Sequence, residues 1–137
     1  MNEELERAVA AVVAERTGKF DQSFASVAAL IPHYLPAALA DRLVTDIPST
    51  VAWEVVADIL GILIWSTDDN GSAIMRAAER WLVEAQDLRR IRIALHLDVY
   101  PFATADEMRK VFAVVAHRFP ELAPRCVALA DARTAGN

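Results

Sequence analysis

Val51-Ala52-Trp53-Glu54-Val55-Val56-Ala57-Asp58-Ile59-Leu60-Gly61-Ile62-Leu63-Ile64-Trp65 is the most apolar stretch of the chain, and the architecture turns on what it becomes. At 15 residues with two acids inside it, it falls short of the about 20 apolar residues that a membrane-crossing helix needs. It shows no alternation of apolar and polar residues, as a half-buried strand would. A helix beginning near Asp46, Pro48 or Ser49 and running to about Trp65 satisfies the pattern, and its apolar surface makes it the main core element of an all-α fold.

The segments on either side read as helices too. Leu5, Val9, Val12 and Val13 recur at three- and four-residue intervals and predict a helix over Glu3–Arg16, ended by Gly18. Asp21 is placed to cap a second helix that stops near Ile31, because Pro32 disfavours helix at the residue before it. Pro36 suits the first turn of a third helix, about Ala37 to Val44. Beyond Trp65, the run Ser66-Thr67-Asp68-Asp69-Asn70-Gly71 is a turn, with Ser72 as the expected cap of a helix from about Ala73 to Ala85. A shorter helix follows, about Leu88 to Leu97. Val99-Tyr100-Pro101-Phe102-Ala103 is a break, after which Thr104-Ala105-Asp106-Glu107 has capping-box order and starts a helix reaching about Arg118. Pro120 and Pro124 open a last helix expected to end near Ala132, with a frayed tail to Asn137. The expectation is one domain over residues 1–137, of seven or eight helices, its C-terminal part stacked as antiparallel pairs.

Composition supports this reading and narrows the function. Hydrophobic residues make up 55% of the 137-residue chain but aromatics only 7%, so the core is built from Ala, Leu, Val and Ile. A chain of this length buries an adequate core without disulfide or structural metal. Nineteen acids against fourteen bases leave a net charge of -5, which argues against a nucleic-acid partner. The one cysteine, Cys126, has no intramolecular disulfide partner and sits among apolar neighbours, which reads as a buried thiol in a reducing compartment. Glu3, Glu4 and Glu6 stand where an export signal would carry bases, so the expected location is cytoplasmic, with no membrane partner.

A shift of 33 residues overlays Met75 on Met108, Arg76 on Arg109, Leu82 on Val115, Arg92 on Arg125 and Asp98 on Asp131. Within Asp87-Leu88-Arg89-Arg90-Ile91-Arg92-Ile93-Ala94, an Asp in an inter-helix turn precedes an Arg in the second helix. Over about Ser72 to Ala132 the chain thus resembles HEAT-type helical repeats, which use such a pair to tie neighbouring units together. The second unit carries Glu121 and Arg125 instead, and the family's first-helix proline is missing. The resemblance implies a short helical solenoid whose concave face binds a protein or peptide.

The polar residues give one stripe of interest. Glu54, Asp58, Gly61 and Trp65 fall at i, i+4, i+7 and i+11, so two carboxylates, a gap and an indole share a helical face. Like charges at this spacing destabilise a helix by roughly 0.2–0.5 kcal/mol, so a base compensates: Arg80, Arg89, Arg90 or Arg92, a cationic partner, or a metal. The metal reading lacks the Glu-x-x-His motif of helical carboxylate sites, so neither metal nor cofactor is assigned. His33, His96 and His117 read as surface or helix-end histidines. No nucleophile elbow, phosphate loop, GxGxxG or HExxH is present for Cys126, Ser23, Ser26 or Ser66 to act within, and no catalytic residue is assigned.

Partner binding is therefore preferred to catalysis, through Glu54, Asp58, Trp65, Asp68 and Asp69, with Trp65 the tryptophan expected at the surface and at least two tryptophans in the core. In size, charge and helical character the chain looks like the bacterial immunity proteins, which neutralise a cognate toxin by covering its basic active site. That likeness implies a protein partner with a basic surface. The alternatives are a small helical enzyme or ligand-binding protein with a pocket around His96, Asp98, Glu54 and Asp58, and a homo-oligomeric structural protein, such as a homodimer.

Overall fold

A computed structural model of the chain describes residues 1–16 and 23–136. Among these residues every regular element is helical, with eight α-helices and no strand. The chain divides into two compact units, residues 1–77 and 78–137, and the division falls within the fifth helix. The expected roles of Gly18 and Asp21 lie outside the described residues.

The first unit is built on α1 (Glu3–Arg16), α2 (Ser23–Ala28), α3 (Leu39–Asp46) and α4 (Trp53–Ser66). Helices α1, α2 and α4 pack against one another in all three pairings. Leu5, Ala8 and Val12 of α1, Val27 of α2, and Val56, Ile59, Leu60 and Leu63 of α4 are buried. The buried Ser23 hydroxyl donates to the Glu15 carboxylate, tying α2 to the helix before it. Helix α4 starts later than Pro48 or Ser49. Ile47 leaves α3 in an extended conformation with its side chain buried, and Val51 N–H closes a turn on the Pro48 carbonyl before Trp53 begins the helix. Between α2 and α3, 3-10 turns at Ile31–His33 and Pro36–Ala38 follow from the two prolines, each at the first or second position of its turn.

No single helix among the described residues is long and apolar enough to cross a membrane. The segments Ser23–His33 and Pro36–Asp46 reach spanning length only together, bent by 116°, and their Val27, Leu30, Leu39 and Leu43 are core residues.

Helix α5 (Ser72–Glu84) gives its last turns to the second unit, which continues with α6 (Leu88–Ala94), α7 (Ala105–Arg118) and α8 (Ala123–Gly136). Helices α7 and α8 form the most extensive pairing, joined by a 3-10 turn at Pro120–Leu122. Met108, Phe112 and Val115 of α7 are buried, as are Leu122 and Cys126, and burial raises the Cys126 thiol above its ordinary pKa. Helix α8 runs to Gly136, past the expected end near Ala132. The expected hydroxyl cap forms, Thr104 Oγ1 accepting from Glu107 N–H at 3.1 Å, and Asp87 also caps α6, accepting from Arg90 N–H at 3.2 Å.

The break at Val99–Ala103 is held by charged side chains. Phe102 adopts φ +68°, a left-handed conformation that costs a bulky residue roughly 1–2 kcal/mol. Its N–H donates to Glu79 Oε2 at 2.6 Å, and its carbonyl accepts from Arg133 Nη2 at 3.1 Å. The same guanidinium donates to the carbonyls of Pro101 and Ala103 and lies over the Tyr100 ring, 5.4 Å from its centroid. Nearby, Arg125 Nε donates to the Leu95 carbonyl at the end of α6. Hydrogen bonds to a charged donor contribute roughly 1.5–3 kcal/mol when no substitute is at hand. Arg133→Ala is therefore expected to destabilise the protein by about 2 kcal/mol, and Arg133→Lys to restore only part of this, since an ammonium cannot reproduce the planar fork. Urea melts of the two variants measure it; an Arg133→Ala midpoint equal to wild type would contradict the clamp.

Candidate functional site

Seven residues of α4 are buried: Val55, Val56, Ala57, Ile59, Leu60, Leu63 and Ile64. What remains is a narrow strip containing Glu54, Asp58, Gly61 and Trp65, so the expected stripe is the partly exposed face of this helix. Trp65 is 72% exposed, a large apolar surface left in water. Of the other tryptophans, Trp81 is buried while Trp53, at the first position of α4, is half-buried, so one rather than two lies in the core.

The acids of the stripe are not equivalent. Glu54 lies in the first turn of α4, where the helix dipole favours a carboxylate. Asp58 pairs with Arg16 at the end of α1, a base other than the four arginines that sequence reasoning named. Both partners of this pair are nearly half exposed, so the bridge is worth under about 1 kcal/mol. In the arginine cluster, Arg90 lies 3.5 Å from Asp87 and stacks over Trp81 at 5.5 Å.

Gly61 sits between Asp58 and Trp65 on the strip. A glycine inside a helix costs about 1 kcal/mol relative to alanine, and here no packing requires it: a Cβ at Gly61 would meet nothing within 4 Å. Gly71 is the opposite case. Its φ is +79°, and a Cβ would lie 2.7 Å from the Ile64 side chain.

The turn at residues 67–71 divides the labour of its two aspartates. Asn70 and Gly71 are both left-handed, which folds the chain so that the Asp69 carboxylate reaches the free amides at the start of α5. Asp69 Oδ1 accepts from Gly71 N–H at 3.0 Å and Oδ2 from Ala73 N–H at 2.9 Å. The Ala73 amide, with the Thr67 hydroxyl and the Gly71 amide behind it, holds the Asp69 carboxyl below the usual carboxylate range. Asp69 is thus the cap of α5 in place of the expected Ser72, whose hydroxyl donates to the Asp69 carbonyl. Asp68 is exposed and has no hydrogen-bond or ion-pair partner among the described residues.

Beside this turn lies a groove of about 140 Å³, walled by Ile31, Tyr34, Pro36, Leu39, Ala73 and Ile74, with Thr67, Asp68 and Asp69 along one lip. The Tyr34 hydroxyl is directed at Asp46, 3.4 Å away, and burial followed by the Asp46 charge raises its pKa. Leu35, next to the groove in sequence, is 77% exposed. Sequence reasoning missed this wall. Its signal was the pair Pro32 and Pro36, which interrupts an apolar segment too often for it to bury itself as one helix.

The alternative pocket is not assembled from all of its expected members. Asp98 lines a cavity of about 170 Å³ in the second unit with Leu95, Leu97, Tyr100, Arg125 and Leu129, but His96 does not; its Nδ1 lies 2.9 Å from the Arg92 carbonyl. Glu54 and Asp58 belong to the first unit. His33 pairs with Glu4, and His117 is exposed on α7. Among the described residues no three His, Cys, Asp or Glu side chains converge on a point where a metal ion would sit.

No family model, no curated protein and no solved structure matches this chain.

The division of labour at the turn is testable. Because folding depresses the Asp69 pKa, its contribution is present in full above the unfolded carboxylate pKa and is lost as pH falls through the folded value. Asp69→Ala is expected to cost about 1 kcal/mol at neutral pH, a difference from wild type that narrows in acid, whereas Asp68→Ala stays within about 0.5 kcal/mol throughout. Thermal melts across pH measure both, and equal losses at the two positions would contradict the assignment.

Proposed function

We propose that the chain is a protein-binding module that docks a partner with a basic surface through the exposed strip of α4 and the adjoining 67–71 turn. The observation that carries this reading is Trp65, a largely exposed indole in line with Asp58 and Glu54. Aromatic anchors flanked by charge are the usual centre of a protein interface, where the ring supplies affinity and the carboxylates steer and select. Gly61 supports it independently, since a helix-interior glycine with open space over it leaves room for a partner's side chain to approach the backbone. The net charge of -5 favours a cationic partner.

Carried further, the proposal is that the partner is a toxin and the chain a bacterial immunity protein acting in the cytoplasm, covering a basic active site with its acidic strip. Size, charge and an all-helical fold support it. The HEAT-like reading of residues 72–132 belongs to the same proposal. In its support, α5 and α7 begin 33 residues apart, the shift that overlays the two units in sequence.

The test uses two variants that leave the core alone. Glu54→Lys with Asp58→Lys gives up a half-exposed bridge and a favourable charge at the start of α4, each worth under about 1 kcal/mol, and is expected to stay folded with a modestly lower melting temperature. Gly61→Leu is expected to gain about 0.5–1 kcal/mol from helix propensity while filling the gap beside Trp65. Both should lose the protein that immobilised wild type retains from an extract of its own cells, and both should fail to protect against a neighbouring gene product that is toxic alone. Loss of capture by a variant more stable than wild type has no explanation in misfolding. Folded variants that retain the partner at unchanged affinity would remove the strip from the interface.

A further inference from the structure

We infer that the groove beside the 67–71 turn takes a partner segment carrying an apolar side chain next to a lysine or arginine, the apolar group entering between Tyr34, Leu39 and Ile74 and the cation resting on Asp68. This rests on the protein-binding reading and names the chemistry of the segment that the module recognises.

The walls decide the first half. Ile31, Pro36, Leu39, Ala73 and Ile74 present hydrocarbon, and the ring of Tyr34 adds an aromatic face. Apart from Asp68, the polar side chains that line the groove are spent inside the chain. Thr67 Oγ1 accepts from Gly71 N–H at 3.0 Å, Asp69 caps α5 through Gly71 and Ala73, and the Tyr34 hydroxyl is directed at Asp46. The polar side chains of Thr67, Asp69 and Tyr34 are thus already engaged, so a group entering the slot is selected chiefly for apolar shape. The volume of about 140 Å³ suits one such group, since an apolar cavity of about 150 Å³ admits a benzene ring.

Asp68 decides the second half. It is the lip carboxylate with no hydrogen-bond or ion-pair partner among the described residues, while its neighbour is consumed by the cap. An anion at the rim of an apolar slot makes the complementary ligand a hydrophobic group with a cation alongside, and disfavours one with a carboxylate there. The exposed rim pairing contributes modestly, and the apolar insertion supplies most of the affinity.

Three capped dipeptides titrated into the isotope-labelled full chain test this, read from the amide resonances of Leu39, Ala73 and Ile74: acetyl-Leu-Lys-amide, acetyl-Leu-Glu-amide and acetyl-Gly-Lys-amide. The first is expected to shift these resonances at millimolar concentration, the second to bind more weakly and the third not at all. Asp68→Asn should weaken the first by about two- to fivefold and erase its advantage over the second. Ala73→Leu, which fills the slot from the first turn of α5, should abolish the shifts; if that variant fails to fold, Asp68→Asn and the three-peptide comparison still decide. Equal binding of the Lys and Glu peptides, or no shift with any of them, overturns the groove assignment. Either result leaves the α4 strip standing, because its capture test depends on Glu54, Asp58 and Gly61, none of which lines the groove.

Discussion

Helix α4 is too apolar to lie on a surface, and the first unit is organised around that constraint. Each large aliphatic side chain that it hides contributes roughly 1.5–3 kcal/mol relative to exposure, and α4 hides six Val, Leu or Ile residues within one helix. Helices α1 and α2 pack against it, and the strip left over is where the polar residues and Gly61 fall. Trp65 is the exception to this economy, an apolar residue on the strip rather than in the core, and that makes it the strongest functional signal in the unit.

Most charges near the candidate surface have structural work. Asp69 caps α5, Glu54 complements the α4 dipole, Asp58 meets Arg16, and Asp87 caps α6. In the second unit Glu79 and Arg133 hold Phe102 in a left-handed conformation from its two sides, so that a strained residue is fixed by charge-assisted bonds to its own backbone. Against this background Asp68 stands out, an exposed carboxylate beside an apolar slot and without a hydrogen-bond or ion-pair partner among the described residues.

The helices were largely legible in the sequence because the signals are local. The Thr104 cap and the periodicity of Glu3–Arg16 act within one or two turns, and both elements have the expected limits. The start of α4 and the cap of α5 were misplaced because they depend on what the chain does next. Burial of Ile47 delays the former, and the left-handed pair Asn70-Gly71 hands the latter to Asp69 instead of Ser72. The strip was legible as a helical face. The groove was not, since Ile31, Tyr34 and Leu39 come together with Ala73 and Ile74 only through tertiary folding across more than thirty residues. The base on Asp58 was missed for the same reason, being supplied from α1.

The central claim is that burial of α4 leaves Trp65 in water as the anchor of a docking face. Hydroxyl-radical footprinting of the three tryptophans, quantified by mass spectrometry on the free chain and on the complex with its captured partner, addresses it most directly. The account predicts that Trp65 is oxidised many times faster than buried Trp81 in the free chain and loses that reactivity in the complex, with Trp81 unchanged. A Trp65 as slow as Trp81 in the free chain, or equally reactive with and without the partner, would contradict it.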